Sequence, residues 1–176
     1  PTAWIGMLIA KFTPITKNQN PIYEKIGGVL IILIISSMVT LLLLSLDIGI
    51  SLISTDYVSM IISVIIGALL LKTTIAIRGM EKHAISVLES LENNDLDMAR
   101  NYLSMIVKRN TTNLDKNHVI SGVLESISEN TVDGITGPMF YYAFFGLPGA
   151  FIYRIINTAD SMIGYKNDIF KNIGWF

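Results

Sequence analysis

The stretch Ile26–Leu46, IGGVLIILIISSMVTLLLLSL, decides how the rest of the chain is read. Its 21 residues lie between Lys25 and Asp47 and carry no charge. At about 1.5 Å rise per residue they make a helix of roughly 31 Å, the thickness of a bilayer core. Gly27 and Gly28 would weaken a water-exposed helix, but membrane helices tolerate glycine, and Ser36, Ser37 and Thr40 can bond back to the backbone. The stretch is expected to span a membrane.

Outward from it, Tyr57–Leu71 is a second uncharged run, and apolar character continues past Lys72 to Ile77. A lysine near the end of a span can carry its ammonium to the headgroups, so 57–77 reads as a second span. The alternative is a buried helix of a water-soluble protein. A third run, Gly134–Tyr153, is apolar and aromatic but interrupted by Gly137-Pro138 and Gly146-Leu147-Pro148-Gly149. Such density of glycine and proline reads as a broken or re-entrant membrane segment, or as two short helices packed on the cytoplasmic face.

Lys11, Lys17 and Lys25 precede the first span, the loop 47–56 has neither lysine nor arginine, and Lys72, Arg78 and Lys82 follow the second. The positive-inside rule then places both ends in the cytoplasm and the short loop outside. The expected organisation is all-α and polytopic: a cytoplasmic segment 1–25, a span 26–46, an external loop 47–56, a span 57–77, a cytoplasmic helical region 78–133, a broken apolar segment 134–153 and a cytoplasmic polar segment 154–176. Ala3–Ala10 has no basic run before it and does not read as a cleaved signal peptide.

Composition narrows the chemistry. The 176 residues are 51% hydrophobic and only 15% charged, with a net charge of -1. No basic surplus exists to neutralise a nucleic-acid backbone, and membrane lipid is the expected partner instead. Without cysteine, disulfides, thiolate nucleophiles and thiolate-bound metals are excluded. Any metal would take oxygen or histidine ligands, and His83 and His118 are too isolated to make a pair. Phosphate-loop, kinase, serine-hydrolase and His-Glu-x-x-His patterns are all missing.

From Met80 to Glu129 the sequence turns amphipathic. Ala84, Val87, Leu88 and Leu91 follow a helical period, and Asn93-Asn94-Asp95 ends that helix and caps the next, which carries Leu96, Ala99, Leu103, Ile106 and Val107. A third helix runs from about Asp115 to Glu129. At 100° per residue, Val119, Val123, Leu124 and Ile127 share one side of it, and His118, Gly122, Glu125 and Glu129 the other. Carboxylates at i, i+4 repel unless a cation or solvent offsets them, so Glu125 and Glu129 mark either a solvated face or a binding site. Gly122 beside His118 leaves room for something to approach.

Glu129-Asn130-Thr131-Val132-Asp133-Gly134 follows at the start of the broken segment. Its carboxylates and amide are hard oxygen ligands of the kind Mg²⁺ accepts, although Asp-Gly is also a common turn. Beyond the segment, Arg154, Asn157, Asp160, Ser161, Tyr165 and Lys166 form a second polar cluster, with Arg154, Asn157, Ser161 and also Asp160 spaced as a polar helical stripe.

The run Glu125–Gly134, then Gly137-Pro138-Met139-Phe140-Tyr141, Tyr153-Arg154 and Asn157–Lys166 resembles the CbiB/CobD family of cobalamin biosynthesis. Asp95-Leu96 with Ala99-Arg100, and more loosely Pro1 with Trp4-Ile5-Gly6, fit the same pattern. The resemblance implies a polytopic membrane enzyme, adenosylcobinamide-phosphate synthase, which joins a corrinoid carboxyl of adenosylcobyric acid to the amine of aminopropanol or its phosphate. It further implies an amide ligase using ATP as co-substrate, with Mg²⁺. On that reading Glu129, Asp133 and Asp160 hold the metal, and Glu125 joins them in the catalytic set. Asn130 and Asn157 orient substrate amides or phosphates, and Arg109, Arg154 and Lys166 face phosphate oxygens, with Ser161 and Tyr165 beside the substrate.

The family's Gly-Arg-Asp-Thr stands here as Lys108-Arg109-Asn110-Thr111, an amide in place of a carboxylate. The family also continues beyond the match at both ends, so the chain reads as an internal portion expected to be inactive alone. The family symbol is shared with a pyridoxal-phosphate decarboxylase, whose alternating strands and helices have no counterpart here. The competing function class is a non-catalytic membrane subunit or transporter binding a small anionic ligand. Inverted repeats would favour it, and the two halves show none.

Overall fold

A computed structural model describes residues 2–53, 57–76, 78–165 and 169–175, and among these every regular element is helical. In order they are α1 (Thr2–Thr16), α2 (Pro21–Ile53), α3 (Tyr57–Thr74), α4 (Arg78–Glu92), α5 (Leu96–Ser104), α6 (Lys116–Thr131), a π-helical turn (Val132–Thr136) and α7 (Gly137–Ile163). Three helical runs are long and apolar enough to cross a membrane: Pro21–Leu52, Tyr57–Thr74 and a part of Lys116–Ile163. The chain divides into two compact units, Pro1–Thr74 with Pro138–Phe176, and Ile75–Gly137.

In the first unit one helix is longer and one shorter than the span expected from sequence. α2 is 33 residues, about 50 Å of helix, and continues through Asp47, which the sequence assigns to a loop. One carboxylate between Leu41–Leu46 and Ile48–Ile50 does not end a helix when most of its neighbours are apolar helix-compatible residues and no proline intervenes. α3 stops at Thr74, three residues short of the expected 77, with Lys72 in its last turn. The cytoplasmic segment expected at 1–25 contains a helix of its own, α1, whose Ile5 and Ile9 pack with Ile31 and Ile35 of α2, Ile155 and Ile163 of α7, and Ile173.

The expected break in the third apolar run sits at Gly146 alone. There φ is +63° and ψ −157°, a conformation glycine adopts without strain from a β-carbon, and helix resumes on its far side. Pro148 falls in the first turn of the resumed helix, where its missing N–H removes no bond. Gly137-Pro138 is no interruption, because Gly137 keeps helical angles and continues the π-turn into α7. Across the kink, Tyr141 and Tyr153 stack with ring centroids 5.1 Å apart. A cavity of about 470 Å³ opens at the break, lined by Leu43, Asp47 and Ile50 of α2, Gly67 and Leu71 of α3, and Tyr142 and Leu147 of α7.

The second unit is a three-helix packing of α4, α5 and α6 around Val87, Leu91, Ala99, Leu103 and Val119. Its turns follow the sequence closely. Asn94 takes φ +57° after α4, and Asp95 caps α5 by accepting the Met98 N–H at 2.9 Å. Asp115 caps α6 in the same way, accepting the His118 N–H at 2.9 Å. These bonds, with a second from the His118 ring, hold the Asp115 carboxyl below the usual carboxylate range.

Candidate functional site

α6 delivers the acidic residues, but its buried face differs from the one expected. Val119, Gly122 and Ser126 are buried and Leu124 is exposed, so the packed side is rotated toward Gly122. The reason is steric. A β-carbon at Gly122 would lie 2.8 Å from Arg109 Nη2 and 3.1 Å from Leu103 Cδ2, so the space left by the glycine is already filled by those two side chains. Gly122 therefore belongs to the core face rather than to the polar face beside His118, whose ring pairs with Asp115 instead at 2.9 Å.

Passing over Gly122, Arg109 reaches Glu125 and forms an ion pair of 2.9 Å between Nη2 and Oε2. This is the cation that offsets the Glu125/Glu129 repulsion. Glu129 lies one turn on, exposed and without an ion pair to any described residue. Asn130 donates from Nδ2 to the Ser126 carbonyl at 2.9 Å, which fixes the amide and leaves Oδ1 as an acceptor. Asp133 then sits within the π-turn, partly buried.

The π-turn changes which backbone groups are satisfied. Gly134 is buried, and its carbonyl accepts the Ala76 N–H at 3.0 Å. A β-carbon there would meet the Ala76 carbonyl at 3.0 Å. The wider turn thus spends a carbonyl on the segment that precedes α4, and Asp133 is carried on a backbone held from both sides. Single π-turns inside α-helices recur at functional positions because they re-aim side chains by one residue's rotation.

Next to Arg109 lies a polar cavity of about 430 Å³, lined by Asp97, Arg100, Ser104, Asn110 and Thr112, with the buried Thr111 at its floor. Arg100 is held by the Leu114 carbonyl at 2.7 Å and Asp97 at 2.8 Å. Thr111 Oγ1 donates to the Arg100 carbonyl at 3.0 Å, and Asn110 Oδ1 accepts from Thr112 N–H at 3.0 Å. The amide at 110 is thereby a turn-former, closing an Asx turn as a carboxylate would.

The second polar cluster belongs to the first unit. Arg154 is 5% exposed and donates to Asn157 Oδ1 at 3.3 Å, so the guanidinium expected to face phosphate is packed inside with an amide partner. Ser161 Oγ donates back to the Asn157 carbonyl at 3.0 Å. Asp160 and Tyr165 are exposed, and Lys166 lies outside the described residues. Glu125, Glu129, Asn130 and Asp133 are thus gathered along one helix end with Arg109, while Asn157, Asp160 and Ser161 share the last turns of α7. Among the described residues no three histidine, aspartate or glutamate side chains are grouped as a metal site.

One charged centre escaped the sequence reading. Glu24, 6% exposed in the first turn of α2, accepts from Asn172 Nδ2 at 2.9 Å and from the Asn18 N–H at 3.3 Å, and pairs with Lys17 at 3.3 Å. Lys17 also donates to the Ile169 carbonyl, Lys25 lies 4.8 Å over the Trp175 ring, and Gly28 admits the Ile173 backbone. Residues 169–175 are clasped to the start of α2 by these contacts. The only sequence signal was a lone acid in the first turn of an apolar helix.

The family model described as CobD/Cbib protein matches residues 1–176. The chain belongs to this family. A probable cobalamin biosynthesis protein CobD of Methanocaldococcus jannaschii is 41% identical over 175 residues, covering 96% of this chain and 54% of that protein. The protein of the same description from Methanococcus maripaludis strain S2 is 36% identical over 99% of this chain and 56% of its own length. A cobalamin biosynthesis protein CobD of Halalkalibacterium halodurans is 40% identical over 78% of this chain and 44% of its own length. The chain thus spans about half the length of the CobD relatives it matches. No solved structure matches it.

Proposed function

We propose that this chain is part of a membrane enzyme of cobalamin biosynthesis that joins adenosylcobyric acid to aminopropanol or its phosphate through an amide. The observation that carries the reading is the family match along all 176 residues, which includes the run Glu125–Gly134 that the fold presents at the end of α6. A carboxylate does not acylate an amine without activation. ATP supplies it: the γ-phosphoryl group passes to the corrinoid carboxylate, ADP leaves, the amine attacks the acyl phosphate, and phosphate departs as the amide forms.

The residues suit these demands. Glu129 and Asp133, one turn apart, would offer the one or two carboxylates that Mg²⁺ takes together with substrate phosphates; Asp160, the third carboxylate the resemblance implies, is not grouped with them among the described residues. A Mg²⁺ held by these carboxylates would supply positive charge to offset that of the transferring phosphoryl group. Arg109 is half exposed and paired with an exposed carboxylate, so exchanging Glu125 for a phosphate oxygen costs little. Glu125 keeps Arg109 poised until then. Asn130 Oδ1 accepts from a substrate amide, and Asn157, Ser161, Tyr165 and Lys166 complete the proposed substrate set, with the buried Arg154 positioning Asn157. A cytoplasmic side for the polar residues is supported by the positive-inside rule, from Lys11, Lys17 and Lys25 ahead of the apolar core of α2 and Lys72, Arg78 and Lys82 after that of α3.

The test is ligation by membranes containing the full-length protein, given adenosylcobyric acid, the amino alcohol or its phosphate, ATP and Mg²⁺. Mass spectrometry should find adenosylcobinamide or its phosphate with one ADP per amide. Asp133→Asn and Asp160→Asn should abolish the product, and ligation that survives both would remove the metal assignment.

A further inference from the structure

The second unit carries an apolar groove that extends outward from its own core. Between α4 and α6 runs a groove of about 300 Å³ lined by Ala84, Ile85, Leu88, Ile120, Leu124 and Ile127 with no polar side chain among its lining residues. Four of its side chains stand in the open: Ile85 is 46% exposed, Leu88 55%, Ile120 40% and Leu124 59%. Val87 and Leu91 line the groove and also belong to the core of the same unit, so the groove is that core's outer margin, with Ile85, Leu88, Ile120 and Leu124 left exposed. A continuous exposed apolar strip in a region otherwise rich in charge marks a surface with a partner.

Connectivity says which partner. α4 starts four positions after α3 ends, a reach of at most about 14 Å, and Ile85 is seven residues, roughly 10 Å of helix, further on. α6 passes through the π-turn straight into α7 with no linker. The bond from Ala76 N–H to the Gly134 carbonyl ties the segment before α4 to the segment after α6, so the groove-forming helices share one tethered end. Both therefore hang from membrane-spanning helices, and the apolar strip begins within about 25 Å of the end of α3 along the chain. Exposed Lys82 and Lys116 are outnumbered on the same helices by Glu81, Glu89, Glu92, Glu125 and Glu129, so the apolar strip rather than headgroup charge carries the attraction.

We infer that the α4–α6 groove is a bilayer-docking face, in which Ile85, Leu88, Ile120 and Leu124 enter the boundary between headgroups and acyl chains. Amphipathic helices bind that boundary through buried apolar area and attraction to anionic lipid. A face seated in this way would hold the α6 end, with Glu129, Asn130 and Asp133, at a fixed height above the membrane. The inference stands on the groove and its tethers and does not depend on the reaction proposed above.

The chain has no cysteine, so a single introduced thiol can carry a nitroxide spin label without background. Leu88→Cys and Leu124→Cys label the groove, while Glu89→Cys and Ser121→Cys label exposed neighbours on the same helices. The full chain is reconstituted in phosphatidylcholine vesicles with and without phosphatidylglycerol. Collision of each label with oxygen, which concentrates in lipid, is compared with collision with a water-soluble nickel chelate. Docking predicts oxygen in excess at 88 and 124 and nickel in excess at 89 and 121, in both lipid compositions. Nickel in excess at 88 and 124 would overturn the inference, because the groove would then face water. Immobilised labels sheltered from both colliders would overturn it in favour of a protein partner. All four positions are exposed, so the labelled variants need no repacking, and agreement of one site per helix suffices.

Discussion

Leu42 of α2 and Leu103 of α5 are the same side chain in opposite circumstances: Leu42 is 65% exposed and Leu103 fully buried. The contrast extends to the units they belong to. Along α2 and α3 the apolar residues point outward, as with Leu41, Ile48, Val64 and Leu69, while the second unit keeps Val87, Leu91, Leu103 and Val119 inside and charges outside. The difference is one of solvent rather than of helix-forming chemistry. Outward-facing leucine has no cost where hydrocarbon surrounds it, and helices satisfy their own backbone groups there.

Truncation breaks or sharpens this contrast most strongly. Leu103→Ala should cost about 2–5 kcal/mol, because it leaves a cavity between α5 and α6. Leu42→Ala should cost little, since a lipid chain fills the space; equal losses in denaturant unfolding in detergent would mean that Leu42 is packed against protein. A charge reverses the ranking. Leu42→Arg should raise the cost of membrane insertion by roughly 2.5–3.5 kcal/mol, measured by glycosylation mapping, whereas Glu89→Arg on exposed α4 should stay within about 0.5 kcal/mol in unfolding.

Smaller effects lie within the second unit. Gly122→Ala pushes on Leu103 and Arg109 and should destabilise by about 1–3 kcal/mol, with loss of the Arg109–Glu125 pair detectable as faster proteolysis between α5 and α6. Asp95→Ala removes the α5 cap and should cost about 1 kcal/mol in the same unfolding experiment. The smallest effect is with pH. Asp115 titrates below its ordinary value when folded, so its cap is fully stabilising above the unfolded carboxylate's pKa and is lost as pH falls through the lower folded one. Helix content followed by circular dichroism should show that acid loss, and Asp115→Asn, which still caps, should remove it.

The parts of this molecule legible in sequence are those governed by local rules. An uncharged run of bilayer length, an Asn-Asn-Asp stop and an aspartate before an amphipathic period each specify structure within a few residues. The kink was legible as a glycine and proline cluster, though its position at Gly146 depended on which glycine took a positive φ. Gly122 was placed on the wrong face because a glycine has no hydropathy to reveal its side, and only the approach of Leu103 and Arg109 from 13 or more residues away decides it. The Glu24–Asn172 contact lies further beyond reach, since 148 residues separate its partners. The acidic residues of α6 could be proposed from spacing, but the Arg109 partner and the π-turn that carries Asp133 are tertiary facts.

Complementation tests the central claim most directly. A strain lacking the synthase and supplied with cobyric acid should recover corrinoid-dependent growth when given the full-length gene of this protein, and the Asp133→Asn gene should fail to restore it. Growth only on added cobinamide would contradict the assignment, because the amide-forming step would then lie elsewhere.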